Sequence, residues 1–498
     1  MSKRRREDRR QRRFLGTFSW PDDQQVVGEL RLRGDGTLLR VHSDRFLARI
    51  ENGASIQGHA YSGEVLTLID CRSPGTGSTT VRDGPTIYSA DVFPHYVAVG
   101  HRTLVPSQPC IRAIQFTATD LCALFYDFDA FGHVVDAKSI MDIVLRERRE
   151  LRPVETGAFP LVSYFTGKER VVGIPTEIGR ISVEHRPAYN LGGPQGVYIK
   201  NRMAVAIEFL NSICFGDSLD RMHAIVCFLS MAAGRTQGVD EIRLLTSEGR
   251  ESGEGPLLLH ASYPPKLSTK SDSHKPHPAD VPFDPINYRV EFEAALADWI
   301  RRHSRWRFGR SRYIDCLRKA NRYNADRLIA AANMFDLLPE EAVPVPGELS
   351  ADLASTRDAC AAEFRKLPLS IDRNSVLSAL ARVGKPSLPK KVAFRVAMVE
   401  SKFGARFPEL PMVANLAVKC RNVLVHGSSG DIDYARVEPF IPFLTDALEF
   451  IFAASDFIEA GWDAARWNSE GHGWGHNFAR FRNEYNPALS QLRAALSA

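Results

Sequence analysis

The chain has 498 residues, 44% hydrophobic and 25% charged, which is too long for one hydrophobic core and ordinary for a soluble protein of two or three domains. Its formal charge of +5 is uneven: residues 1–13, MSKRRREDRRQRR, carry eight Lys and Arg against two acids, leaving 56 basic and 57 acidic residues elsewhere. The most apolar segment, AIVCFLSMAA at 224–233, falls far short of the ~20 residues a membrane helix needs, so no membrane partner is expected.

The basic tail has no apolar run behind it and reads as a disordered arm, not a signal peptide. The eight cysteines, at 71, 110, 122, 214, 227, 316, 360 and 420, are scattered without a Cys-x-x-Cys. That usage suits a reducing cytoplasm, with neither a disulfide framework nor a zinc finger. From 14 to 262 the pattern is β: RFLGTFSW, VVGELRLR, TLLRV, EVLTLIDC, YVAVGHRTLV and CIRAIQFTATDL, then LVSYF, RVVGI, RISVEH and GVYIK. LGGPQG between the last two signals a hairpin. Asp217 and Ser218 are candidate caps for a helix ending at Gly234, after which EIRLLTS and GPLLLHA read as closing strands.

Residues 263–286 are rich in Pro, Ser, Lys and His and read as a linker or long loop. Helical patterning follows at 288–303, 310–320, 324–338, 350–366, 374–383, 388–402, 411–426 and 435–460. The expected architecture is α+β and multidomain: a β-rich domain over 14–262, an all-α bundle over 287–465, and a C-terminal extension over 466–498. No repeat of fixed period points to a solenoid.

Much chemistry is missing. No Gly-x-x-x-x-Gly-Lys-Ser/Thr phosphate cradle, His-Glu-x-x-His or Gly-x-Ser-x-Gly occurs, and no metal or other cofactor is expected. GHGWGHN sets His472 and His476 four apart, a spacing that suits a metal pair but is more often a polar loop. Residues 301–327 hold ten Lys and Arg against two Asp, with Trp306, Phe308, Tyr313 and Tyr323 between them. Cations meet phosphates and rings stack on unpaired bases, so Arg305, Arg307, Arg310 and Arg312 are candidate RNA contacts. A solvated helix face with its rings turned into the bundle fits the same residues equally well.

Three Arg–His pairs stand five or six residues apart: Arg180–His185, Arg421–His426 and Arg466–His472. The first alternates like a strand, with its Arg and His on opposite faces, and the third has loop composition. The second, in RNVLVHG, closes an amphipathic helix. Five residues is about 140° of rotation, so the two side chains should flank a groove. Gly427 fits the left-handed residue after a helix, placing His426 in the last turn, where the dipole favours a cation and suits phosphate.

Arg421, Asn422 and His426, at the end of a helix in a C-terminal bundle, resemble the motif of the HEPN ribonuclease superfamily. The wider order, YNADRLIAAANMFDLLP, SVLSALARVGKP and MVANLAVKCRNVLVHG, resembles the ApeA-like HEPN domain. FLGTFSW, IQGHAYSGEVLTLIDC and YVAVGHRTLVPSQPCIRAIQFTATDL resemble the N-terminal domain of ApeA antiphage proteins. The resemblance implies a metal-independent endoribonuclease acting in abortive infection, with tRNA anticodon loops as substrate and 2′,3′-cyclic phosphate and 5′-hydroxyl ends as products. It further implies that Arg421 and His426 are catalytic with Asn422 in support, and that two copies of the chain pair across one cleft. A phage-encoded activator is a further partner consistent with such a role, and the β-rich domain a candidate sensor. The apolar run at 441–458 exceeds one helix stripe and is a candidate for the dimer surface. Two other readings use the same residues: a non-catalytic HEPN scaffold that binds nucleotide, RNA or a phage protein, and a sensor whose helices only dimerise.

Overall fold

The computed structural model describes residues 12–497, apart from 81, 83, 191, 266–274, 346, 348 and 428–431 and the side chains at 250–252. Most of the basic tail lies outside the described residues; Arg12 and Arg13, assigned to it, open the first strand instead. The chain divides into two compact units, 1–267 with 283–301 and 268–282 with 302–498.

The first unit follows from strict alternation. In β1 (Arg12–Ser19) Phe14 and Phe18 point inward. It pairs antiparallel with β2 (Gln25–Leu32) and β4 (Ala54–Ala60). With β3 (Leu38–Ser43), β5 (Val65–Thr80) and β6 (Thr86–Gly100), the order is β6-β3-β2-β1-β4-β5, and β5 pairs back onto β6. Six strands thus close a barrel filled by Phe14, Phe18, Trp20, Leu30, Leu39 and Leu66 among others. Closure needs a glycine at 16, where a Cβ would come within 2.2 Å of the His59 carbonyl oxygen.

The last residues of β6 stay paired with β5 on one side and on the other pair with β12 (Leu257–Ala261), the edge of an open sheet. That sheet runs β12, β11 (Val239–Thr246), β7 (Ile111–Ala118), β10 (Met203–Ile213), β9 (Gly179–His185) and β8 (Arg170–Thr176). Helix α1 (Phe215–Ala233) packs on it and starts earlier than Asp217 and Ser218 suggested. Cys214 is its N-cap, and the Ser218 hydroxyl bonds back to the Phe215 carbonyl inside the helix. Its end at Gly234, φ 67°, is where the sequence placed it. Phe228 of α1 meets Phe283, Phe292 and Trp299, so 283–301, read as linker and helical half, builds this unit's core.

Helix α2 (Arg289–Arg318) is unbroken where two helices were expected, and from Arg302 it belongs to the second unit. Gly309, in the expected gap, lets helices approach closely: a Cβ there would stand 3.2 Å from the Phe452 ring and 3.3 Å from the Met334 carbonyl oxygen. Helices α3 (Ala325–Asp336), α4 (Leu388–Phe403), α5 (Leu410–His426) and α6 (Ile441–Glu459) pack on one another, and α7 (Asn477–Ser497) packs on α6.

Helix α6 corrects the dimer-surface expectation. Leu444, Leu448, Phe450, Ile451, Phe452 and Phe457 are all buried, on every side of the helix. It is buried all round because neighbours of its own unit surround it, not because a partner covers one face. Residues 466–498, set apart as an extension, supply Phe478, Phe481, Tyr485 and Leu492 to the same core. Phe481 stacks on Phe450 with ring centres 4.7 Å apart.

Candidate active site

Helix α5 presents Val413, Ala414, Ala417, Val418 and Cys420 to the bundle, which leaves its final turn at the rim. Gly427, φ 66°, ends it as expected and donates its N–H to the Val423 carbonyl at 2.9 Å. Arg421 and Asn422 are half-buried, and His426 is exposed.

The side chains converge more closely than a 140° separation suggests. Arg421 donates from Nη1 to Asn422 Oδ1 at 3.1 Å and stands 3.5 Å from His426 Nε2. A long arginine stem absorbs the angular offset, so the pair forms one cluster instead of two banks of a groove. Arg421 Nη2 donates to Asn333 Oδ1 at 2.9 Å, and Arg421 Nε is buried without a hydrogen-bond partner among the described residues. The sequence reading missed Asn333. Its signal was a polar residue amid Ala331, Ala332, Met334 and Phe335, all buried.

The buried guanidiniums of this unit, unlike half-buried Arg421, answer to carboxylates. Arg310 and Arg302 share Asp456, Arg327 pairs with Glu449, and Arg395 with Glu459. Burial would push the Asp456 carboxyl up, yet Arg310 and Arg302 hold it below its ordinary value. Among the described residues, no carboxylate faces Arg421. Among the described residues, the cluster therefore offers a cation without a carboxylate partner beside an imidazole at a solvent-open helix end. Such a set can bind a phosphate oxygen and pass a proton.

The candidate RNA arginines part company. Arg310 is fully buried against Asp456, which corrects its assignment: it cannot reach a phosphate. Trp306 and Tyr313 are buried too, Trp306 beneath the guanidiniums of Arg302, Arg310 and Arg395 at 4.8–5.3 Å. Arg305 is exposed and pairs with Glu341 at 3.1 Å; Arg307 lies over exposed Phe308, and Arg312 is exposed.

The histidines of the other two Arg–His pairs have structural work. His185 is buried edge-on against the stacked rings of Phe131 and Phe165, with Arg180 on the opposite face of β9. His472 stacks on Trp467 at 4.0 Å and bonds through its two ring nitrogens to the carbonyls of Ala279 and Trp467. Asp280 accepts the amides of Gly473 and Gly475 at 2.6 and 2.8 Å, fixing that loop. Among the described residues, no three of His, Cys, Asp or Glu gather as metal ligands. No described helix is long and apolar enough to cross a membrane.

These observations define an α+β protein that joins a barrel-bearing sheet to a helical bundle with an Arg–Asn–His cluster at one helix end. The family described as ApeA N-terminal domain 1 matches residues 13–299, and that described as Apea-like HEPN matches 347–466. The chain belongs to the ApeA-like family and carries a HEPN domain. Neither a curated protein nor a solved structure matches it. The HEPN match includes Arg421, Asn422 and His426, and leaves out Asn333 and α7.

Proposed function

We propose that this chain is an antiphage endoribonuclease that cuts host RNA at the Arg421–His426 cluster and halts growth of the infected cell. The observation that carries the reading is the meeting of Arg421 with Asn422 and His426, at 3.1 and 3.5 Å, on a rim open to solvent. The ribose 2′-oxygen attacks the adjacent phosphorus as His426 takes its proton, and the bond to the 5′-oxygen breaks. The products are a 2′,3′-cyclic phosphate and, once the leaving oxygen gains a proton, a 5′-hydroxyl. Arg421 meets the charge that grows on the non-bridging oxygens, and Asn422 holds its Nη1. This chemistry uses no metal ion. It favours an unpaired loop, such as a tRNA anticodon loop, where the backbone can bring attacking and leaving oxygens into line.

One His426 serves one proton transfer, so the working species is a homodimer, with both clusters facing one cleft. The N-terminal unit is the sensor for a phage-encoded activator in the cytoplasm. A cavity of about 470 Å³, lined by Arg112, Arg180, Glu208 and Glu254 among others, supports that role. The direct test is end-labelled host RNA incubated in EDTA with wild-type protein beside His426→Ala. Cyclic-phosphate ends made by the wild type alone are expected; equal cutting by the variant, or cutting that needs added magnesium, removes the proposal.

A further inference from the structure

We infer that Asn333 is a positioning residue that holds Arg421 without neutralising it; the inference rests on the nuclease reading above. Asn333 projects from α3 and accepts from Arg421 Nη2 at 2.9 Å, while Asn422 accepts from Nη1 at 3.1 Å. Two amide oxygens from different helices therefore fix both ends of the guanidinium plane. Arg302, Arg310, Arg327 and Arg395, buried where Arg421 is half-buried, are fixed by Asp456, Glu449 or Glu459. A carboxylate would orient Arg421 equally well, and in a half-buried site more tightly, because charge-assisted hydrogen bonds are stronger than neutral ones. It would also cancel the charge that a phosphate must meet. An amide orients and leaves the charge intact.

The contrast separates this role from a structural one. If Asn333 only stabilised the fold, Asn333→Asp would keep or strengthen the contact and leave activity alone. Under the proposal it spares the fold and harms the reaction. The geometry also assigns parts within the cluster: His426 Nε2 and Asn422 Oδ1 both sit at Nη1, so among the described residues Asn333 governs the Nη2 side.

The test uses full-length Asn333→Asp, Asn333→Ala, Arg421→Ala and wild-type protein in single-turnover cleavage of an end-labelled RNA. Binding is read separately, with a fluorescein-labelled 2′-O-methyl oligonucleotide that cannot be cut. Asn333→Asp should melt like wild type and cut at least about tenfold more slowly, the scale on which supporting hydrogen bonds act. Its log-affinity against log-salt slope should also fall by roughly 0.7, one phosphate on a single strand. Asn333→Ala keeps the charge and loses the aim, so its cutting rate should drop while the slope stays. Asn333→Asp cutting within threefold of wild type overturns the inference. Should that variant fail to fold, Asn333→Ala decides in its place by the same threshold. If wild type and Arg421→Ala cut alike, the nuclease reading fails instead, and the two failures are told apart.

Discussion

Arg310 and Asp456 meet through two hydrogen bonds, Nε to Oδ2 at 2.7 Å and Nη2 to Oδ1 at 2.8 Å, with both side chains fully buried. Arg302 adds a third, from Nη1 to Oδ1 at 2.8 Å. Removing Arg310 takes two of these bonds from a buried carboxylate and leaves it with Arg302. Arg310→Ala should therefore cost about 3–5 kcal/mol, against less than about 0.5 kcal/mol for the exposed Arg312→Ala. Chemical denaturation of the two variants checks this; equal midpoints would contradict the buried pair.

On the exposed side of α2, Arg305, Phe308 and Arg312 fall at helical spacing along one stripe, with Arg307 over the Phe308 ring. Neutralising Arg305, Arg307 and Arg312 together should weaken RNA binding and flatten its salt dependence by up to ~0.7 for each phosphate the protein no longer neutralises. The Arg305–Glu341 pair is solvent-exposed and should not hold that side chain back. Titrations at several salt concentrations measure the slope. A slope identical to wild type would remove this stripe from the RNA path.

What the sequence could tell is clear from these same residues. The barrel strands were legible because alternation reports which face is wet, and the Arg421 cluster because cap, spacing and motif coincide on one helix end. Arg310 was not legible: composition counts a buried guanidinium and an exposed one alike, and its partner Asp456 lies 146 residues away. Asn333 was hidden for the same reason, since its contact with Arg421 spans 88 residues. The break expected between 303 and 310 and the apolar run of α6 misled in opposite directions. One read as a gap and is continuous helix; the other read as an interface and is the bundle's centre.

The bundle should carry a pH signature of its own. Burial, with Glu449 beside it, pushes the Asp446 carboxyl from 3.8 up to about 7, while Tyr323 donates to it at 2.9 Å. A raised value means the folded state holds the proton more tightly. The contribution is full below the ordinary carboxyl value and is lost as pH rises through about 7. Asp446→Asn, which keeps an acceptor for Tyr323, should gain stability over wild type between pH 5 and 8 by on the order of 1–3 kcal/mol. His303, pushed down to about 4 by burial and by Arg310, acts in the opposite sense, its stability lost as pH falls from 6.5. The paired comparison cancels it. A melting difference that stays constant with pH would contradict the Asp446 assignment.

In cells, Arg421→Ala and His426→Ala should each abolish growth arrest at unchanged abundance. Loss of a positioned acid–base group costs about 10²–10⁴-fold, and loss of one charge-stabilising donor about 10²–10³-fold. Both side chains sit near an open helix end, so the fold should survive. His185 and His472 are poor controls, one buried and the other stacked on Trp467. His133, exposed on the first unit, is the better one, and His133→Ala should remain toxic. Equal toxicity of His426→Ala would end the enzyme reading.

The proposed dimer can be tested through the chemistry it is meant to complete. One cluster supplies a single titrating ring, yet the reaction takes a proton from one oxygen and gives one to another. Two clusters facing across a two-fold axis would meet both needs with no added sequence. Because α6 is enclosed by its own unit, that axis must run past other surfaces, close to the open end of α5. Chains carrying Arg421→Ala and chains carrying His426→Ala should each be inactive alone. Mixed and allowed to exchange, they form heterodimers whose shared cleft holds one intact arginine and one intact histidine. Partial recovery of cleavage, rising with the mixed fraction measured by differently tagged chains, is the expected result. No recovery despite proven exchange, or a fully active monomer by light scattering, would sink the composite cleft while leaving the single-chain nuclease standing.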